Sequence, residues 1–103
     1  MTLDFTFVDD TARGIYLVAT HQNASGETFN ITRGKAESLK NAIDIISGYV
    51  DNIKVEYGPV PKHVPRRGTL DITKARTLLG YQPQYNLEKG LGIYIEHLRK
   101  HPI

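Results

Sequence analysis

Between Leu3 and Val8, apolar and polar residues alternate, with Leu3, Phe5 and Phe7 set against Asp4 and Thr6. A half-buried strand reads this way, because successive side chains point to opposite faces. The period then lengthens. Ala12, Ile15, Tyr16 and Ala19 fall on one side of a helix, which makes them its expected buried stripe, with Asp9 or Asp10 as its N-cap. His21 to Gly26 reads as a loop, and Glu27 to Ile31 as a second short strand. Ser38 is placed to cap a second helix, in which Leu39, Ala42, Ile43, Ile46 and Val50 repeat at helical spacing. Ile53, Val55 and Tyr57 alternate again and predict a third strand.

The segment from Gly58 to Gly68 carries Pro59, Pro61 and Pro65 and is expected to be extended, since each proline fixes its own φ and biases the residue before it. A helical corner follows. Asp71 reads as an N-cap, and Ile72, Ala75, Leu78 and Leu79 share one helical face. Gly80 stands where a left-handed residue ends a helix, and Pro83 blocks continuation. Asn86 then caps a last helix, roughly Leu87 to Lys100, with Glu88 in its positive first turn and Leu91, Ile95 and Leu98 facing inward. Gly90 and Gly92 each weaken that helix by roughly 1 kcal/mol relative to alanine, so tertiary packing must hold it. Strands and helices in alternation predict an α/β fold with about three short strands and four helices.

Composition narrows the setting. A chain of 103 residues, 40% of them apolar, is one small domain at most. Its net charge of +2, from 13 basic and 11 acidic residues, does not call for nucleic acid or an acidic membrane. There is no cysteine, so disulfides, thiolate metal sites and thiol catalysis are excluded. No apolar run approaches the ~18 residues of a spanning helix, and no secretory leader is evident, so a cytoplasmic protein is expected. His97 and His101 are one turn apart but have no third ligand placed with them, and no metal is expected.

Three segments carry a resemblance. The run Leu70-Asp71-Ile72-Thr73-Lys74-Ala75-Arg76, then Leu79-Gly80-Tyr81-Gln82-Pro83, then Leu87-Glu88-Lys89-Gly90-Leu91, is similar to the C-terminal signature of the NAD-dependent epimerase/dehydratase family. These are extended short-chain dehydrogenases that act on nucleotide sugars, as UDP-glucose 4-epimerases do. Leu3 to Asp10, and Phe29-Asn30-Ile31-Thr32-Arg33-Gly34 with Ser38-Leu39, agree in order and spacing. The resemblance implies that residues 1–103 are the substrate-lobe portion of such an enzyme, lacking most of the Rossmann sheet. It also implies surfaces shaped for a missing Rossmann half, and hence exposed apolar area and self-association into a homo-oligomer.

The glycine fingerprint that lets backbone amides approach a dinucleotide is absent; the one close pair, Gly90-Leu91-Gly92, lies inside an apolar-periodic helix. NAD(P) is the cofactor of the full-length family, and none is expected on this chain alone. The family's tyrosine and lysine, four residues apart on a helix, have a letter-level match in Tyr85 and Lys89, but Asn86 as a cap would place Tyr85 outside the helix. No catalytic residue is therefore assigned.

The resemblance points to four residues for sugar-nucleotide contact: Asn30, Arg33, Arg66 and Arg67. Two readings of Arg66 and Arg67 stand side by side, a bidentate grip on a diphosphate and a solvated basic loop. The family's arginine-proline-glycine-aspartate run is replaced here by Val60-Pro61-Lys62-His63, and its arginine ahead of the Asp-Phe pair by Leu3. Asn30 could equally satisfy backbone groups at a strand end. The expected function is that of an inactive part of a nucleotide-sugar epimerase or dehydratase; the alternative is a stand-alone, self-associating interaction module.

Overall fold

A computed structural model describes residues 2–56, 58, 59 and 68–102. Its order is β1 (Thr2–Leu3), α1 (Val8–Thr20), a 3-10 turn (Gln22–Ala24), β2 (Glu37–Ser38), α2 (Leu39–Ser47), α3 (Thr73–Leu79) and α4 (Leu87–Lys100). β1 and β2 pair antiparallel, with Thr2 opposite Ser38 and Leu3 opposite Glu37. The four helices stand as expected, but the described residues hold two strands instead of three.

The expected strands at 27–31 and 53–57 form no ladder among the described residues, and Tyr57 itself lies outside them. The alternation at Phe29 and Ile31 does show itself, since both side chains pack against the core. A strand also needs a neighbour to receive its backbone hydrogen bonds. The described residues offer segment 27–31 no neighbouring strand: its apolar face is placed, while of its amides the Glu27 one alone has a partner among the described residues, the Ala24 carbonyl at 3.1 Å.

Local chemistry fixes the helix starts. Ser38 Oγ accepts from the Asn41 amide at 3.0 Å, and Asn86 Oδ1 from the Lys89 amide at 2.8 Å, both as expected of N-caps. At α3 the N-cap is Ile72, with no side-chain cap, and not the expected Asp71; Asp71 Oδ1 instead accepts from the Thr73 amide at 2.8 Å in a turn just ahead of the helix. Gly80 takes φ 67°, and its amide and that of Tyr81 return to the Arg76 and Ala75 carbonyls, closing α3 with a left-handed cap.

α1 departs from the sequence reading twice. Phe7 stands at its N-cap with no side-chain cap, so neither Asp9 nor Asp10 plays that part. Its buried face is Asp10, Gly14 and the partly buried Leu17 and Val18. The expected stripe points outward, with Ile15 60% and Tyr16 65% exposed. Gly14 explains the choice: a Cβ there would lie 2.1 Å from Ile31 Cγ2, so α1 lies against segment 27–31 on its glycine side.

The core is one cluster at the corner, formed by Ala24, Ile72, Ala75, Leu79 and Tyr81. α2 packs on α4 separately. Tyr49 reaches the space beside Gly92, and Arg99 Nη2 donates to the Tyr49 carbonyl. The whole is a slab of 49 × 38 × 20 Å with a radius of gyration of 16.2 Å, against about 13 Å for a compact chain of this length. Among the described residues no helix is long and apolar enough to cross a membrane.

Candidate functional site

Two aspartates from the N-terminal segment and one tyrosine from the corner bind the distant parts of the chain together. Asp4 Oδ2 accepts from Thr32 Oγ1 at 2.9 Å and from the amides of Gly34 and Leu70 at 3.2 Å each. Its other oxygen is buried and has no partner among the described residues. Asp10, 1% exposed, accepts from the Gln84 amide at 2.8 Å through Oδ1 and from the Tyr85 amide at 3.1 Å through Oδ2. A carboxylate shared between two amides is a strong, charge-assisted clamp, and it holds the start of α4 against α1.

Tyr81, fully buried, donates from its hydroxyl to the Thr32 carbonyl at 2.8 Å. Burial pushes its phenol up to about 12; Asp10 and Asp4 add to the shift, while Arg33 and Arg76 oppose it.

Beside this knot opens a cleft of about 370 Å³ lined by Gly34, residues 69–73 and Arg76. Gly34 needs its φ of 79° there, and its missing Cβ leaves room for Ile72 Cδ1, which would otherwise sit 2.8 Å away. Thr69 Oγ1 accepts from the Ala36 amide at 2.8 Å and joins the cleft to β2. Thr73, through its hydroxyl and then its amide, holds the Asp71 carboxyl below its ordinary range. The cleft therefore offers an anion at Asp71, a cation at Arg76 and neutral donors between them.

Of the four expected contact residues, Asn30 and Arg33 adjoin residues that line this cleft without lining it themselves. Asn30 is exposed, and its Nδ2 donates to the Asp71 carbonyl at 3.0 Å, so it satisfies a backbone group 41 residues away. Arg33 is half-buried, immediately precedes Gly34, and its amide donates to Thr6 Oγ1 at 3.2 Å. Arg66 and Arg67 lie outside the described residues. Sequence reasoning missed Asp4, Asp10 and Tyr81 as the parts that shape the cleft. Nothing local marks them, because these side-chain partners lie between 28 and 75 residues away in the chain.

No protein-family model matches the chain. It is 33% identical over 99 residues to the UDP-glucose 4-epimerase of Mycolicibacterium smegmatis, covering 95% of this chain and 31% of that enzyme. Among solved structures, MoeE5 in complex with UDP-glucuronic acid and NAD superposes with a TM-score of 0.87 at 27% identity, over 96% of this chain and 33% of that one. The UDP-glucose 4-epimerase of Thermotoga maritima, solved with UDP-glucose, gives 0.82 at 33% identity, over 96% of this chain and 32% of that one. The chain's homologues are NAD-dependent nucleotide-sugar epimerases and dehydratases. It spans about a third of their length.

Against the features of that epimerase/dehydratase family, two letter-level coincidences resolve into packing. Lys89 Nζ lies 4.7 Å over the centre of the Tyr85 ring, which also meets Phe7 at 4.6 Å. Tyr85 stands before the Asn86 cap, so the two residues do not share a helix. The pair Gly90 and Gly92 serves close approach: a Cβ on Gly90 would come 3.0 Å from Phe7 Cδ1, and one on Gly92 2.6 Å from the Tyr49 hydroxyl. Space taken by side chains gives a pyrophosphate no cradle, and the residues of this pair do not fit a dinucleotide. His97 and His101 stack at 4.8 Å, and no group of three or more metal-ligating side chains occurs among the described residues.

Proposed function

We propose that this chain is the C-terminal, substrate-side portion of an NAD-dependent nucleotide-sugar epimerase or dehydratase, and that it contributes to sugar-nucleotide binding without turning over substrate alone. The observation that carries this reading is the superposition on MoeE5, whose structure holds UDP-glucuronic acid and NAD, over nearly the whole of this chain. In that portion, residues 1–103 act as one unit. Arg33, with Arg66 and Arg67 from the proline-rich segment, supplies guanidinium groups for the diphosphate, and Asn30 offers its carboxamide to the sugar. Asp4, Asp10 and Tyr81 are positioning residues that hold the cleft walls together. The hydride acceptor belongs to the part of the family's length that this chain does not span.

Calorimetric titration with UDP-glucuronic acid and UDP-glucose, then with NAD, tests the reading. Weak nucleotide-sugar binding that falls on Arg33→Ala, with no heat from NAD, is the expected result. Turnover of either sugar by the isolated chain with NAD would remove the claim of inactivity. Binding indifferent to Arg33→Ala and to Arg66→Ala with Arg67→Ala would remove the assigned contacts.

A further inference from the structure

Most of what lines the cleft of about 370 Å³ is already committed to the fold. The amides of Gly34 and Leu70 donate to Asp4, the Thr73 amide donates to Asp71, and Thr69 Oγ1 accepts from the Ala36 amide. The lysines beside the cleft are committed as well, Lys35 to Glu37 and Lys74 to Glu27. Three groups are left over. Arg76 lines the cleft and is exposed, and its guanidinium has no hydrogen-bond or ion-pair partner among the described residues. The Thr69 hydroxyl serves Ala36 as an acceptor, so its own proton is left to donate. The Asp71 carboxylate takes Thr73 alone among the described residues and keeps further acceptor sites.

These leftovers describe a ligand. A carboxylate acceptor beside a hydroxyl donor suits a ring of neighbouring hydroxyls, each of which both donates and accepts. Such a sugar satisfies Asp71 and Thr69 but leaves the guanidinium without a partner. The planar fork of an arginine matches a carboxylate through two parallel hydrogen bonds. The diphosphate does not need this cation, because the proposed function gives it Arg33, which precedes Gly34 in the chain. We propose that the cleft selects nucleotide sugars whose hexose carries a carboxylate, with Arg76 as the residue that reads the acid. The inference rests on the proposed function and names the substrate class of the same site. An exposed ion pair gains little in water, so the selection is modest and weakens with salt.

Titration of the full chain at low ionic strength with UDP-glucuronic acid and with UDP-glucose tests the proposal. The acid should bind about two- to fivefold more tightly, and added salt should narrow the margin. Arg76→Gln should remove the margin and leave UDP-glucose affinity unchanged, while Arg76→Lys should keep part of it. In the wild type, the Arg76 side-chain Nε resonance should shift with UDP-glucuronic acid and stay in place with UDP-glucose. This readout needs no variant to fold. Equal wild-type affinities, a margin that survives Arg76→Gln, or an Arg76→Gln loss equal for both ligands would each overturn the proposal. The last would put the guanidinium on the diphosphate, and in all three the proposed function stands because both nucleotide sugars bind. Free glucuronate and glucose form a separate arm. An Arg76-dependent response to glucuronate, without binding of either nucleotide sugar, removes the proposed function and leaves the reading of the acid by Arg76. No response to any of the four ligands removes both.

Discussion

At the scale of single residues, the buried polar groups decide the geometry. Asp10 accepts from two amides through two oxygens. Asp10→Asn leaves one amide facing a donor, and the expected cost is on the order of 1–3 kcal/mol, read as a lowered urea midpoint. An unchanged midpoint would mean the clamp contributes nothing. The phenol of Tyr81 sits at about 12 in the fold, above its ordinary 10.0. A raised folded value means the native state holds the proton more tightly than the unfolded chain does. The contribution is therefore fully present below about pH 10 and is lost as pH rises towards about 12. Phenolate absorbance should show a late ionisation near pH 12 that Tyr81→Phe removes; no such phase would contradict the burial. These residues were unreadable in sequence for a physical reason. An aspartate near a helix start looks the same whether it meets its own helix's amides or those of Gln84 and Tyr85, and only the fold brings the latter within reach.

At the scale of elements, periodicity located the helices and misjudged which way one of them faces. Ser38 and Asn86 cap as their letters suggest, and Gly80 ends α3 in the left-handed region, because capping depends on residues within a turn of each other. The face of α1 depends on Gly14 and Ile31 instead. Gly14→Ala should destabilise the chain by about 1–3 kcal/mol despite alanine's better helix propensity, since a Cβ would lie 2.1 Å from a branched, partly buried side chain. Gly92→Ala makes a useful contrast. Its Cβ would meet only the hydroxyl end of Tyr49, which is 39% exposed and can turn aside, so helix propensity should leave that variant near neutral or better. Thermal melts of both variants check the pair, and equal losses would contradict this account of α1. The expected strands at 27–31 and 53–57 show the same dependence: alternation placed Phe29 and Ile31 correctly, but a ladder requires a second strand.

At the scale of the whole molecule, the shape is thin and open. A slab 20 Å thick with six buried apolar residues among the described ones, three of them alanine and Ala42 apart from the core cluster, buries less surface than its length allows. The urea m-value should accordingly fall below that of a compact domain of 103 residues, because m follows the surface exposed on unfolding. An ordinary m-value would show that the outward α1 face is covered in solution. The isolated chain should also bind an apolar dye, and Ile15→Glu with Tyr16→Glu should reduce that signal.

The sequence alone determined what adjacent residues can settle: four helices and the caps at Ser38 and Asn86, the corner at Gly80, and the resemblance to nucleotide-sugar enzymes. Tertiary structure alone decided the rest: which side of α1 is inward, which amides Asp4 and Asp10 hold, and that Asn30 satisfies the Asp71 carbonyl. The division follows from range. Helix periodicity and capping act within a few residues, whereas burial and buried hydrogen bonds depend on whatever the fold, or a partner, brings alongside.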